Sequence, residues 1–325
     1  SKDVYTMLNS MVHRAPDDIG VFSDNNISLG MGRLSIIDLK SKNLCPFQNE
    51  KIVLSFNGEI YNYKSIRQDL KKLGYKFKTT SDTEVLGNAW DKWGKNILNK
   101  IKGMFVFAIY EKRKNKLFIA RDIPGEKPLY YTRKNNKFYF ASEAKALSEI
   151  LNLKVTKNKF FETFQHCLGE TLWKNVYQLP AAHYLEYNFN TKKLSINEYW
   201  KIKPKKIYQK TAQEELEHLL SKSVKLCTQA DVDYGIYHSK GVDSTLISTF
   251  HNFKNKFCRI CIIKLSWLTR QHTCVDHLVS PLYYLFVHQY KLSNLLFVLE
   301  FFHNPHILVD YQVLCSQSPF LSYIL

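Results

Sequence analysis

The stretch from Ile52 to Asn62 reads IVLSFNGEIYN, and the rest of the sequence is interpreted outward from it. Its first five residues are apolar except for Ser55 and predict a buried strand. Asn57-Gly58 is a dipeptide that breaks regular structure, so we expect the strand to end there, just before the carboxylate of Glu59. A side-chain amide and a glycine N–H at a strand end can stabilise an oxyanion in acyl transfer. Taken alone, however, Asn-Gly is more typical of a surface turn.

Length and composition restrict the class of protein. A chain of 325 residues is long enough for a sizeable core and about two domains. The net charge of +17 is spread along the chain without a basic stripe, so we expect no nucleic-acid partner. No apolar run reaches the roughly 18 residues of a membrane span and no signal peptide is recognisable, so we expect a cytoplasmic protein with no membrane partner. Seven unevenly spaced cysteines do not indicate a disulfide framework.

Apolar periodicity and capping signals predict the elements around the opening stretch. Two segments, Ser81–Glu84 and Thr211–Glu214, fit capping boxes at helix starts. The charged, proline-containing segment 201–206 predicts a linker. Strands are predicted at 27–34, 104–110, 116–121, 137–141 and 234–238, and helices at 64–73, 81–93 and 143–151.

The last part of the chain has a different composition. The final 84 residues contain no glycine, whereas the first 241 contain 12. Four of the seven cysteines and six of the eleven histidines lie after Phe250. An α/β nucleotide-binding domain needs turns, and turns favour glycine, so this tail is not typical of such a domain.

Eight segments of the chain carry the next inference: RAPDD (14–18), GRLSIIDL (32–39), FNGEIYN (56–62), SDTEV (81–85), GMFVFAIY (103–110), ARDIPGEKPLYY (120–131), FASEAKAL (140–147) and SKGVDST (239–245). Taken in this order, they resemble one known family, glutamine-dependent asparagine synthetase, from about Ser1 to about Phe250.

The resemblance implies an α+β domain followed by an α/β domain. Residues 1–200 are expected to form a class II glutamine amidotransferase domain, an Ntn-hydrolase-type αββα sandwich of two stacked antiparallel sheets flanked by helices. Residues 201–250 are expected to begin a doubly wound α/β ATP-binding (PP-loop) domain. Residues 251–325 are expected to lack family resemblance, and a reading-frame change near residue 250 is our hypothesis for their composition.

The resemblance also implies a glutamine site. Arg33 is expected to bind the α-carboxylate of glutamine in a forked geometry, and Asp82 and Glu59 to face its α-ammonium. Asn57 and Gly58 match the oxyanion hole of the family. The pocket wall is expected to be formed by the backbone of Leu34, Ser35, Ile36 and Ile37.

For the second reaction, adenylation of aspartate by ATP, the resemblance implies a phosphate loop followed by a helix N-terminus. Asp243 is expected to help hold Mg²⁺, which accompanies ATP, and no organic cofactor is expected. The small-molecule partners would be glutamine, aspartate and ATP, and the family suggests a homodimer. The implied ATP-binding residues are His238, Ser239, Lys240, Gly241, Val242, Asp243 and Ser244.

The sequence departs from the family in ways that predict loss of activity. The nucleophile of the family is an N-terminal cysteine followed by Gly-Ile, which is absent here, and Cys45 lies in an unrelated loop. Ala15, Lys240 and Ala182 replace glycines, where a side chain is expected to obstruct the backbone. Met31 and Gly32 replace more polar residues. As written, the chain is expected to perform neither half-reaction.

The sequence is compatible with three other functions. Cys258 and Cys261, followed by His272 and His277, approximate a zinc spacing, although Cys274 intrudes and the central gap is short. A degenerate glutamine-binding remnant would keep the fold without the chemistry. A sister amidotransferase would transfer the amide nitrogen to a sugar or another carboxylate.

Overall fold

A computed structural model of the chain describes residues 2–42, 44–156, 171–204, 209–238, 242–250, 260–261 and 285–287. The chain divides into two compact units, of which the first contains the residues up to Ile202 and the second begins at Lys203.

The described part of the first unit contains four α-helices, eleven strands and two short 3₁₀ segments at Val12–Arg14 and Gly94–Asn99. The helices are α1 (Lys2–Ser10), α2 (Tyr63–Lys72), α3 (Asp82–Trp93) and α4 (Ala144–Leu151). The strands are β1 (Asp18–Ser23), β2 (Ser28–Arg33), β3 (Phe47–Gln48), β4 (Ile52–Ile60), β5 (Gly103–Glu111), β6 (Lys116–Arg121), β7 (Tyr130–Lys134), β8 (Lys137–Ala141), β9 (Tyr177–Gln178), β10 (His183–Asn188) and β11 (Leu194–Glu198).

An antiparallel sheet of six strands, in the order β11-β10-β6-β5-β4-β3, forms the centre of the first unit. Its strand β5 is apolar from Met104 to Tyr110, as expected for a strand with both faces of the sheet covered. Phe107 and Ile109 pack into the core that the sheet forms with α2 and α3. Val106 and Ala108 point to the opposite face, where they pack with residues of β7 and β8. The period of two along β5 thus separates the helical layer from a second sheet layer.

The second sheet layer is divided, a detail that the expectation of two stacked antiparallel sheets does not include. It consists of the pair β1-β2 and the separate sheet β8-β7-β9. Strands β2 and β8 are edge strands of these two sheets, and residues of both line the same cavity. Helix α1 packs against α4 and against β2, on the outer side of this layer. The αββα layering is therefore present, but its second sheet is interrupted beside the cavity.

Strand β4 does not end at Asn57-Gly58, as the dipeptide predicts, but continues to Ile60. The reason is a close approach between strands: Gly58 lies opposite Phe105, and a Cβ on Gly58 would lie 2.0 Å from the carbonyl oxygen of Met104. The φ angle of Gly58 is +145°, a conformation that L side chains rarely adopt. Glycine is therefore required by strand pairing, not by a turn.

Helix α3 starts where the first capping box predicts, but the Glu84 carboxylate of that box has other hydrogen-bond partners than predicted. The Ser81 hydroxyl accepts a hydrogen bond from the Thr83 N–H and caps the helix. The Glu84 carboxylate does not reach back to Ser81, but accepts hydrogen bonds from the N–H groups of Lys78 and Thr79. The capping residue fixes the start of the helix, and Glu84 fixes the loop before it.

The described part of the second unit contains α5 (Gln209–Cys227), β12 (Tyr234–His238), α6 (Val242–Thr249), β13 (Ile260–Cys261) and β14 (Leu285–Val287). Helix α5 includes Thr211, so the second capping box lies inside the helix and does not start it. Strand β12 pairs in parallel with β13 and antiparallel with β14. One of the two described pairings therefore departs from the purely parallel arrangement of a doubly wound sheet.

Candidate functional site

A cavity of about 730 Å³ in the first unit brings together eight of the nine residues that the sequence assigns to the glutamine site. Ser35 is the exception, because it is not among the lining residues and its N–H donates to the Asp17 carboxylate at 2.6 Å. The predicted glutamine-site residues that line the cavity are Arg33, Leu34, Ile36, Ile37, Asn57, Gly58, Glu59 and Asp82.

The strand β4 supplies the amide and a carboxylate of the site. Asn57 and Glu59 are two residues apart on a strand, which puts their side chains on the same face. The Asn57 side-chain amide donates a hydrogen bond of 3.3 Å to the Ser142 hydroxyl. Ser142 lies just after β8 and also lines the cavity. This contact orients the amide at the point where the sequence predicts oxyanion stabilisation.

Arg33, at the end of β2, is buried and holds the loop that follows it. Its guanidinium donates to the carbonyl oxygens of Ile37 at 3.0 Å, Asp38 at 2.7 Å and Ser41 at 2.7 Å. The sequence predicts a fork onto a ligand carboxylate, whereas three of the five N–H donors of Arg33 bind the chain itself. The residue thus fixes the backbone that forms one wall of the cavity.

Asp82 enters the site from the first turn of α3. Its carboxylate accepts a hydrogen bond of 3.0 Å from the Ile60 N–H, at the end of β4. Burial raises the pKa of Asp82 to about 6, although backbone hydrogen bonds and the nearby Arg33 lower it. A carboxylate at this depth is stabilised in its charged form when a cation binds next to it.

Glu59 is the second carboxylate of the site and is 7% exposed. Burial raises its pKa to about 7, and the charge of Asp82 adds to this shift, while Lys127 opposes it. Within the described residues, the Glu59 carboxylate accepts no hydrogen bond, unlike that of Asp82. Two neighbouring carboxylates with raised pKa values form a site that favours a positively charged ligand group.

Lys127 is a cavity residue that the sequence analysis does not assign. It belongs to the segment 120–131, which carries the family resemblance and places charged residues directly after the apolar strand β6. Charged residues at the end of a buried strand are the signal that could have drawn attention to it.

The second unit contains the predicted ATP-binding residues, of which only some are described. Asp243 lies in the first turn of α6, Ser244 is buried and Val242 is exposed. His238 ends β12, but its side chain lies outside the described part. Ser239, Lys240 and Gly241 also lie outside the described residues.

The described residues contain neither a cluster of metal-ligating side chains nor a helix that could span a membrane. No group of three or more His, Cys, Asp or Glu side chains with metal-binding geometry occurs in this part of the chain. Cys258, His272, Cys274 and His277 of the zinc hypothesis lie outside it, and only the backbone of Cys261 is described. Among the described helices, none combines the length and apolar character that a bilayer-spanning helix requires.

Comparisons with known proteins show which family this chain resembles. The glutamine amidotransferase domain family matches residues 1–200. Asparagine synthetase (glutamine-hydrolyzing) 2 of Bacillus subtilis is 32% identical over 310 residues, which cover 89% of this chain and 41% of that protein. Asparagine synthetase (glutamine-hydrolyzing) 1 of the same organism is 34% identical over 260 residues, covering 76% and 40%. The chain spans about two fifths of the length of these curated relatives.

The alignment with asparagine synthetase (glutamine-hydrolyzing) 2 extends into the last part of the chain, after Phe250. Residues 1–250 make up about 77% of the 325 residues, so an alignment over 89% of the chain includes part of the segment after Phe250. A solved structure of glutamine phosphoribosylpyrophosphate amidotransferase from B. subtilis, complexed with ADP and GMP, is 17% identical, with a TM-score of 0.48 over 76% of this chain and 60% of that chain.

Proposed function

The chain belongs to the glutamine amidotransferase domain family, and from this premise we propose that it is part of a glutamine-hydrolysing asparagine synthetase. In this reaction the first unit hydrolyses the side-chain amide of glutamine to glutamate and ammonia. The ammonia then attacks an aspartate side chain that ATP has adenylated with release of pyrophosphate. The products of the second step are asparagine and AMP.

The observation that carries the proposal is the composition of the cavity. Free glutamine presents an α-carboxylate, an α-ammonium and an amide that becomes an oxyanion during hydrolysis. Arg33 retains two N–H donors for the carboxylate after binding the loop carbonyls. Asp82 and Glu59 match the ammonium, and Asn57 with the Gly58 N–H matches the oxyanion. Each charged part of glutamine therefore has a complementary group among the lining residues.

Hydrolysis also needs a nucleophile, and the described cysteines do not provide one. Neither Cys45 nor Cys227 lines the cavity. Burial raises the pKa of the Cys45 thiol to about 12, with the charge of Asp18 adding to the shift, so the reactive thiolate is scarce at neutral pH. We therefore propose that the nucleophile belongs to a segment with a Cys-Gly-Ile start, placed before Ser1. The edges of β2 and β8 beside the cavity offer hydrogen-bonding positions for such a segment.

A glutaminase assay on two versions of the protein tests this proposal. One is the present chain, and the other carries a short apolar extension before Ser1 that begins with Cys-Gly-Ile. We expect release of glutamate from glutamine only by the extended chain, because only it has a nucleophile with a free α-amine. An extension that begins with Ser-Gly-Ile is the matched control. Glutamate release by the present chain, or none by a folded Cys-extended chain, would contradict the proposal.

For the second unit, we propose an ATP site at the segment between β12 and α6. A strand followed within four residues by a helix N-terminus, with Asp243 in the first helical turn, supports binding of ATP phosphates and Mg²⁺. Calorimetry with Mg–ATP tests the site. The Lys240→Gly variant is expected to bind Mg–ATP more tightly, because a glycine lets the backbone approach the phosphates, and Asp243→Asn is expected to weaken binding. Equal affinity of all three proteins would contradict this site.

The remaining parts of the proposal follow from the family alone. They are a homodimeric assembly, a cytoplasmic location, and aspartate as the acceptor in preference to another carboxylate. Sedimentation velocity of the purified chain tests the first, with a single species of twice the chain mass as the expected result.

A further inference from the structure

Lys127 is held in the wall of the cavity through its backbone. Its N–H donates to the Asp122 carboxylate at 3.0 Å, and its carbonyl oxygen accepts a hydrogen bond of 2.7 Å from Nε of Arg121. Asp122 and Arg121 are both buried. With both backbone groups bound to buried charged residues, the position of Lys127 is fixed while its side chain remains free to face the cavity.

The same carboxylate connects this loop to the strands of the site. Asp122 also accepts hydrogen bonds from the N–H of Phe105 at 3.0 Å and of Glu126 at 2.8 Å. Phe105 lies directly opposite Gly58 in the β4–β5 pair. The Asp122 carboxylate therefore links the backbone of Lys127 to strand β5. Strand β5 pairs with the part of β4 that carries Asn57 and Glu59, so the position of Lys127 depends on that strand pairing.

The charged groups around Glu59 come from two elements. Asp82 on α3 and Lys127 on the loop after β6 line the same cavity as Glu59, and the charge of Glu126 on that loop also raises the pKa of Glu59. Arg14 is a further cation near Lys127, and it forms an ion pair with Glu143 at 3.2 Å. In the described part of the chain, no ion pair within 4.0 Å uses the Lys127 ammonium. The charge of Lys127 lowers the pKa of Glu59, against the effects of burial and of Asp82. Burial and the charge of Arg14 lower the pKa of the Lys127 ammonium itself, whereas Glu59, Glu126 and Asp122 raise it.

We propose that Lys127 is a positioning residue that favours the ionised form of Glu59, so that Glu59 and Asp82 together receive the α-ammonium of glutamine. This inference rests on the proposed function, because it requires glutamine to bind in the cavity. Its physical basis is charge balance: Arg33 lies near Asp82, and Lys127 lies near Glu59, so each carboxylate has one cation. Without Lys127, two carboxylates would share one site, and one of them would take up a proton.

Calorimetric binding of two ligands to the full chain tests the role of Lys127. L-Glutamine has the α-ammonium, and glutaramate (4-carbamoylbutanoate) is the same molecule without it. For Lys127→Met, we expect glutamine to bind about fivefold more weakly at pH 7, since a rise of about one unit in the Glu59 pKa leaves a tenth of it ionised. At pH 8.5 the difference is expected to fall below about twofold. Glutaramate binding is expected to change less than about twofold at either pH.

Two further variants separate this role from a structural one. Lys127→Arg keeps the positive charge and is expected to retain the affinity of the unaltered chain. In a Glu59→Gln background, Lys127→Met is expected to have no further effect on glutamine binding, because the carboxylate whose charge Lys127 stabilises is absent.

Equal weakening of glutamine and glutaramate binding, or a loss of affinity that does not depend on pH, would show that Lys127 acts on the shape of the cavity and would overturn the proposal. If glutamine does not bind the unaltered chain at all, the proposed function itself fails, whereas glutamine binding that Lys127→Met leaves unchanged overturns only the role of Lys127.

Discussion

Ala15 and Gly32 approach so closely that a Cβ on Gly32 would lie 2.3 Å from the Cβ of Ala15. The family resemblance expects the reverse arrangement, with a glycine at position 15 and a larger residue at position 32. Ala15 has a φ of −145°, which any residue adopts, so the obstruction expected from the sequence is absent. The methyl group of Ala15 uses the space that Gly32 leaves empty.

A double-mutant cycle tests this exchange. Gly32→Ala alone is expected to lower the free energy of unfolding by about 1 to 3 kcal/mol, because two Cβ atoms would overlap. Ala15→Gly alone is expected to cost about 1 kcal/mol. The double variant is expected to unfold within about 1 kcal/mol of the original protein in denaturant titrations. Additive losses, without a coupling energy of about 1 kcal/mol or more, would show that the two positions are independent.

Ala182 occupies a backbone conformation that favours glycine, with a φ of +56°. The conformation is held by hydrogen bonds from the Ala182 N–H to the Asp122 carbonyl oxygen and from the Tyr199 N–H to the Ala182 carbonyl oxygen, both of 2.9 Å. Ala182→Gly is therefore expected to raise the free energy of unfolding by about 0.5 to 1 kcal/mol. The adjacent Ala181→Gly, whose φ is not positive, is expected to lower it by a similar amount. Thermal unfolding of both variants distinguishes the two effects.

Arg33→Lys is expected to loosen the cavity wall. An ammonium cannot reproduce the planar fork that binds the carbonyl oxygens of Ile37, Asp38 and Ser41, so we expect a loss of about 2 to 3 kcal/mol in stability. Amide hydrogen exchange across residues 37–41 should accelerate more than exchange in β5. The exposed Arg113→Lys serves as the control and is expected to change neither measurement. Unchanged exchange in the loop would mean that other contacts hold it.

The pKa of Glu59, raised to about 7, predicts a cost in stability above that pH. The folded protein holds a proton on Glu59 that the unfolded chain releases near pH 4.5, so stability from this group is present below pH 4.5 and is lost as the pH rises to 7. Glu59→Gln removes the titration and is expected to stabilise the protein by about 2 to 3 kcal/mol at pH 8 and by much less at pH 5. The exposed Glu50→Gln should show no such pH dependence. A stabilisation equal at both pH values would contradict the assignment.

Strong apolar periodicity made much of the fold predictable. The strands β6, β8 and β12 have the predicted bounds, and β5 extends one residue further at each end. Such segments are predictable because burial of their own side chains decides their structure. The strand β1 and the hairpin β10–β11 were not predicted. Residues Asp18–Ser23 form a strand because they pair with β2, a contact that local sequence does not reveal.

The site was predictable to the extent that it depends on short segments. Asn57 and Glu59 of strand β4 and Asp82 at the start of α3 line one cavity, as the ordered motifs predict. Their roles in catalysis stay predictions. Lys127 and Ser142 were not assigned, because hydrogen bonds to residues distant in sequence bring them to the cavity or join them to it. Arg33 was assigned to a ligand, and its contacts with its own loop could be seen only in three dimensions.

The interruption of the second sheet has a consequence for the behaviour of the protein at high concentration. Strands β2 and β8 are edge strands of their sheets, and residues of both line the cavity. Exposed strand edges pair readily with extended segments of other molecules. Two molecules that meet at such edges can add strands to one another. The divided sheet therefore favours self-association of the chain as its concentration rises.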